Sequence, residues 1–158
     1  MKFKSKKIVK VGMIAALYAV LTLSIAPISY GAIQFRLSEI LVLLVFFDED
    51  FALGLILGCF ISNLYSPLGV IDVIFGTFAT FLTVTMIKRS KNLFIASLWP
   101  TVFMIIVVIE LNFVEHIPFL ITTIYLMLGE FVVVTGIGYP LFKFISKNEK
   151  ITSLLKIK

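Results

Sequence analysis

Four carboxylates stand where a hydrophobic chain should carry no charge: Glu39, Asp72, Glu110 and Glu130 lie inside or at the ends of apolar segments. An ionisable side chain deep in a bilayer costs at least about 2.5–3.5 kcal/mol, so such residues face a cavity or a partner. Glu130 stands in LMLGEFVVV with no basic residue nearby in sequence. Asp72 opens an apolar segment, where a carboxylate also complements a helix N-terminus. Glu110 closes another near its polar end, where solvation is the alternative to ligand contact. Glu39 follows Arg36 by three residues, a helical spacing that puts the two on one face within ion-pair range. Four acids against one arginine leave negative charge in a low-dielectric setting. Either some are protonated or a cation arrives to balance them, and a cationic ligand follows as the expectation. Asn63, Tyr30, Tyr65, Tyr125, Phe75 and Trp99 add polar edges and flat faces, although each aromatic singly also suits packing or interface anchoring.

Other chemistries are poorly supplied. His116 is the only histidine and Cys59 the only cysteine, so no metal site is expected, because one imidazole with no second soft ligand nearby cannot assemble one. The chain has no G-x-S-x-G, no H-E-x-x-H and no G-x-x-x-x-G-K-[ST], which removes the usual hydrolase, zinc-protease and P-loop readings. The expectation is a binding protein without catalysis, not an enzyme, and with no cofactor of its own.

The elements that must position these residues are membrane helices. Hydrophobic residues fill 60% of the 158 positions and only 15% are charged, against about 25% charged in soluble domains. The mean hydropathy is +1.11. Apolar segments at 8–27, 36–47, 51–66, 69–87, 93–112 and 117–143 predict an all-α, six-transmembrane-helix bundle, one membrane domain over residues 1–158. The second and third segments are short, and merging them into a re-entrant element would leave four full spans. The first is too long for a cleaved signal peptide and reads as a retained helix.

The basic residues sort to one side. Lys2, Lys4, Lys6, Lys7 and Lys10 precede the first span; Lys88, Arg89 and Lys91 follow the fourth; Lys143, Lys147, Lys150, Lys156 and Lys158 follow the sixth. Only Arg36 falls elsewhere. Six spans then place both termini in the cytoplasm of a multi-pass cell-membrane protein. The net charge of +5 is an orientation signal, with some attraction to anionic membrane lipid, and not a nucleic-acid footprint, since no aromatics interleave with the basic residues. Connections 28–35, 65–69 and 112–117 form the outward rim of a pocket. Small residues four apart, Gly12/Ala16 and Ala15/Ala19 in the first helix and Gly54/Gly58 in the third, permit close helix approach.

The stretches YGAIQFRLSE (30–39), GCFISNLYSPLGVIDVIFGTFAT (58–80) and LGEFVVV (128–134) closely resemble the QueT family, the substrate-binding S-components of energy-coupling factor (ECF) transporters. The resemblance runs over most of the chain. It implies a six-helix S-component that captures a queuosine precursor, typically the cationic deazapurine 7-aminomethyl-7-deazaguanine, and works with a transmembrane coupling subunit and two cytoplasmic ATPases that bind the ATP. The family's Ala-x-x-x-Ala motif, which contacts the coupling subunit, falls on Ala15 and Ala19, with Gly12 and Ala16 as a competing register. For that ligand, Glu130 would take the guanine-like edge or the ammonium, and Glu110 or Asp72 the other. Asn63 would read the carbonyl, Gln34 and Arg36 would belong to a lid, and Tyr125 would line the same cavity, with Glu39 as a further contact. An S-component for another vitamin or nucleobase, or a stand-alone secondary transporter, are the alternatives.

Overall fold

The computed structural model describes residues 2–31 and 33–148, with side chains from Lys7 onward. Lys150, Lys156 and Lys158 of the C-terminal basic cluster lie outside the described residues. All regular structure among the described residues is helical. Helix α1 (Lys2–Ser24) and a single turn α2 (Ala26–Ser29) are followed by a 3₁₀ helix (Leu37–Phe46) and α3 (Phe51–Asn63). Then come α4 (Val70–Arg89), α5 (Leu93–Glu115), α6 (Phe119–Glu130), a π-helical stretch (Phe131–Gly138) and α7 (Tyr139–Ser146).

Among the described residues, four helical rods are long and apolar enough to cross a membrane: Lys7–Ser24, Val70–Arg89, Leu93–Glu115 and Phe119–Ser146. The last runs through α6, the π stretch and α7 without a break. Leu37–Phe46 and Phe51–Asn63 are shorter apolar helices, as the two short segments of the sequence foreshadowed. The expectation of a plain α-helix over 36–47 is corrected, because the backbone winds as a 3₁₀ helix there. A 3₁₀ helix rises about 2.0 Å per residue against 1.5 Å for an α-helix, so these ten residues reach roughly 20 Å instead of 15 Å. Residues three apart also eclipse in that winding. Glu39, Val42 and Val45 form one such row, and all three are buried. The 3₁₀ helix packs against α1, α3, α4, α5 and the π stretch, and so stands at the centre of the bundle.

Around it the core closes through Leu43, Leu55, Ile87, Val133 and Val134. Helix α1 lies on α3 through glycine. A Cβ on Gly58 would stand 2.7 Å from Tyr18 Cβ and 2.9 Å from the Ala15 carbonyl oxygen. Only a residue without a side chain lets the two backbones approach this closely in the absence of a hydrophobic drive between helices.

Three acids of the turn at 48–50 fix one end of the molecule. Lys7 pairs with Asp50 and Lys10 with Asp48, each at 2.5 Å, and Lys88 pairs with Glu49. Exposed pairs of this kind contribute little stability singly, but they place the start of α1, the end of α4 and this turn together. Pro100 stands inside α5, where it removes a backbone donor, and the Thr135 hydroxyl donates to the Ser97 carbonyl at 2.9 Å. Ser and Thr re-satisfy freed backbone groups in this way when a membrane helix departs from regular winding.

Gly58→Val is expected to lower the thermal midpoint of the purified protein in detergent, by the ~1–3 kcal/mol typical of overpacking. Gly12, which has open space where a Cβ would go, serves as control: Gly12→Ala should leave the midpoint within one degree or two, on the order of a neutral surface change.

Candidate functional site

The site is built at the end of the molecule away from the lysine-bound turn. Helix α1 stops at Ser24, α2 begins with Pro27 in its first turn, and the chain turns back through Tyr30. Stitches hold this crossing: the Ser29 hydroxyl donates to the Thr22 carbonyl, and the Tyr30 hydroxyl to the Ser62 carbonyl at 2.6 Å. Thr22 and Ser38 share a hydrogen bond at 2.7 Å, joining α1 to the 3₁₀ helix. Gln34 adopts φ +47°, a left-handed conformation that costs a non-glycine residue about 1 kcal/mol or more and clusters at functional sites. Its neighbour Ile33 lies flat on α6, where a Cβ on Gly129 would be 2.6 Å from the Ile33 carbonyl oxygen. Gly129 therefore lets residues 33–36 cross directly over the helix that carries Glu130.

Arg36 ends this crossing, 4% exposed. Its Nε donates to the Ser29 carbonyl at 3.2 Å, one terminal nitrogen to Asn63 Oδ1 at 3.2 Å, and the other to Asp72 Oδ2 at 3.4 Å. The guanidinium also lies over the Tyr30 ring, 5.2 Å from its centroid. Asn63 in turn donates to the Asp72 carbonyl oxygen at 3.1 Å and to Cys59 Sγ at 3.4 Å. The ion pair expected between Arg36 and Glu39 is thus replaced by one between Arg36 and Asp72. The cause is that Arg36 is extended and precedes the helix, so helical spacing does not apply to it, together with Tyr18, whose buried hydroxyl donates to Glu39 instead. Asp72 sits in the first turn of α4 but makes no cap bond there, because its carboxylate is turned to the arginine.

The other acids gather around the same guanidinium. Glu110 interacts electrostatically with Asp72 and Arg36, and Glu130 with Glu39 and Arg36. Both are almost wholly buried, and both Glu110 oxygens, Glu130 Oε2, Asp72 Oδ1 and Gln34 Oε1 lack a hydrogen-bond partner. Buried polar atoms are nearly always paired, so a cluster of unpaired acceptors calls for an explanation.

Two cavities are lined by members of this cluster, the inner one by Arg36, Glu39 and Glu130 and the outer one by Gln34. The outer one, about 330 Å³, is lined by Tyr30, Gly31, Gln34, Ser66, Leu68, Leu111, Glu115, Thr122 and Tyr125. That volume lies at the lower end of ligand pockets, which run to ~300–1,000 Å³. The inner one, about 30 Å³, is lined by Arg36, Glu39, Gly76, Thr80, Thr83, Pro100, Met104 and Glu130. It has room for a water or two, since one water needs about 10–15 Å³ by that measure. Nearby stretches of chain contribute to both cavities: Gln34 to the outer and Arg36 to the inner, Leu68 and Gly76 likewise with Asp72 between, and Leu111 and Val107 of α5 with Glu110 between.

Of the residues singled out from sequence, Glu130, Glu39 and Arg36 share the inner cavity, Asp72 and Asn63 are bonded to Arg36, and Glu110 interacts with Arg36 and Asp72 only electrostatically. Gln34 and Tyr125 face the outer one, so Tyr125 and Glu130 do not line the same chamber. Tyr65 is exposed, Phe75 lines neither cavity, and Trp99 stacks on Phe103 and donates to Ser90. Ala15 and Ala19 are buried in the bundle, whereas Gly12 and Ala16 are exposed on the far side of α1. Sequence reasoning missed Tyr18, which binds Glu39, and Thr122 and Ser66, which line the outer cavity. Tyr18 offered one signal, a polar-tipped ring ten residues after the start of the apolar segment 8–27.

An all-helical membrane chain that encloses buried charge beneath a solute-sized cavity has the layout of a small transport protein. The family model described as QueT transporter matches residues 8–147, and the chain belongs to that family. It is 36% identical to the queuosine precursor transporter QueT of Lactococcus lactis subsp. cremoris (strain MG1363), the alignment covering 82% of this chain and 86% of that protein. No solved structure matches the chain.

Asp72→Asn keeps the shape but strips Arg36 of its ion pair. Breaking one side of a buried pair typically costs about 3–5 kcal/mol. A clear fall in thermal midpoint is expected, and the double variant Asp72→Asn with Arg36→Met should recover much of it.

Proposed function

We propose that this chain is the S-component of an ECF transporter, capturing a queuosine precursor, 7-aminomethyl-7-deazaguanine, from outside the cell. The observation that carries this reading is the group of buried, unpartnered carboxylate oxygens of Asp72, Glu110 and Glu130, in a molecule that also holds a 330 Å³ cavity lined by Gln34, Leu68 and Leu111, each a few residues from this cluster in the chain. A deazapurine offers matching chemistry: a guanine-like edge of adjacent N–H donors and an ammonium arm. Carboxylates pair with both through charge-assisted hydrogen bonds, which are about twice as strong as neutral ones. The bicyclic ring fits the outer cavity between Tyr30 and Tyr125, and its polar end reaches inward. Glu130 takes the guanine-like edge or the ammonium and Glu110 or Asp72 the other, while Asn63 reads the carbonyl after releasing Asp72. Gln34 and Arg36 lie on the segment that closes over the ligand.

In this reading all six apolar segments cross, the 3₁₀ helix and α3 sheltered by the four long rods. The lysine-bound turn at 48–50 faces the cytoplasm with both termini. The outward face of α1 that presents Gly12 and Ala16 meets the transmembrane coupling subunit. The Ala15/Ala19 register is occupied by α3, where Gly58 meets Ala15. ATP hydrolysis by the two partner ATPases reorients the loaded chain, which itself binds no ATP. Uptake by this chain alone in vesicles without ATPase would contradict the coupled scheme.

Calorimetry of the purified chain should show tight binding of the deazapurine and none of adenine. In Glu130→Gln the affinity should drop by about tenfold or more, the scale of a hydrogen bond to a charged group. Equal affinity in that variant would overturn the assignment of Glu130.

A further inference from the structure

The position of Arg36 carries a consequence for how the site is entered. Glu130 and Glu39 face the inner cavity, which is too small for a ring. Arg36 lines that cavity with them, while Gln34, two residues earlier, lines the outer one, so the guanidinium stands among the acids that a ligand group from the outer cavity would meet. Arg36 is held there by long contacts of 3.2–3.4 Å, against about 2.7–2.9 Å for a tight charge-assisted bond. Its planar fork of N–H donors has the same character as the edge of an aminopurine ring and the same charge as an ammonium. Among the described residues the other cations of the chain lie elsewhere: Lys7, Lys10 and Lys88 are engaged at the opposite end, and Arg89 is exposed. The segment that carries Arg36 is also strained at Gln34, and it rests on Gly129 beside Glu130.

Resting on the ligand reading above, we infer that Arg36 is a tethered competitor: its guanidinium stands in the carboxylate cluster in place of the ligand, and the ligand's cationic end displaces it. Displacement breaks the bond to Ser29 and the ion pair to Asp72, and so releases residues 33–36 to close over the occupied cavity. Occupancy and closure are then one event. A neutral solute that enters the outer cavity leaves Arg36 where it is and the segment in place. Arg36 is a specificity-determining residue on this account, and not a static member of the pocket wall.

The chain holds two arginines, Arg36 and Arg89, so ¹⁵N-arginine labelling yields two Nε–H signals, with Arg89 as the exposed control. In the free protein the Arg36 signal should be protected from solvent exchange by its bond to Ser29. At saturation with 7-aminomethyl-7-deazaguanine, verified by calorimetry, it should shift and lose that protection while the Arg89 signal stays put. An Arg36 signal that keeps its free-state position and protection at saturation overturns the inference and leaves the ligand reading standing. Failure of the wild type to bind the deazapurine at all overturns both. As a second measurement, Arg36→Met should bind the deazapurine about tenfold more tightly, the scale of one charge-assisted bond no longer opposed. Millimolar guanidinium ion should reverse that gain in the variant and leave the wild type unaffected. Weaker binding by Arg36→Met would mark the arginine as a direct ligand contact and contradict its role as competitor.

Discussion

Charge in hydrocarbon must be answered by charge, and most of this molecule follows from that constraint. Four carboxylates are carried into a bundle whose other buried residues are apolar or, Arg36 apart, neutral and polar, at a cost that only partners or a ligand offset. One guanidinium meets them. It is fixed by a backbone carbonyl, an amide and a single carboxylate, which leaves several acceptor oxygens unpaired. The site is therefore electrostatically incomplete in a way that a stable core would not tolerate, and incompleteness of this kind is what a binding site for a cation requires.

The backbone departs from regular α-helix where it serves that cluster. The 3₁₀ winding from Leu37 brings Glu39 under Tyr18. Pro100 stands inside α5 beside the inner cavity, and the π-helical stretch begins immediately after Glu130. Such stretches are less favourable than α-helix and recur at functional positions. Here Thr135 bridges two of the irregular elements by bonding to Ser97, and Gly129 allows the crossing segment to lie against α6. The glycine contacts between α1 and α3, by contrast, are regular close packing, and they hold α1 so that its opposite face stays open.

Much of this was legible in the sequence, for reasons that can be named. The acids were conspicuous because their cost is independent of fold, and the short apolar segments on either side of Asp48–Asp50 announced themselves by length. The sorting of lysines anticipated that Lys7, Lys10 and Lys88 gather at one end. The partner of Arg36 was not legible: i, i+3 spacing favours Glu39 on any helix, and nothing local reports that Tyr18, two elements away, has already taken it. The face of α1 turned to α3 was equally hidden, since Gly12/Ala16 and Ala15/Ala19 are equivalent patterns until Gly58 selects one. Division of the site into two cavities is a product of tertiary packing. Tyr125 and Glu130, close in angle on one rod, line different chambers, and Ile33 packs on Gly129 between them in the chain.

The central claim is that the buried acids serve a positively charged solute from outside. A structure determined with 7-aminomethyl-7-deazaguanine bound tests it most directly. The account predicts the ring in the outer cavity, with its ammonium or its N–H edge within about 2.7–3.2 Å of a carboxylate oxygen of Asp72, Glu110 or Glu130. A bound ligand that touches none of the three, with Arg36 still on Asp72, would contradict it.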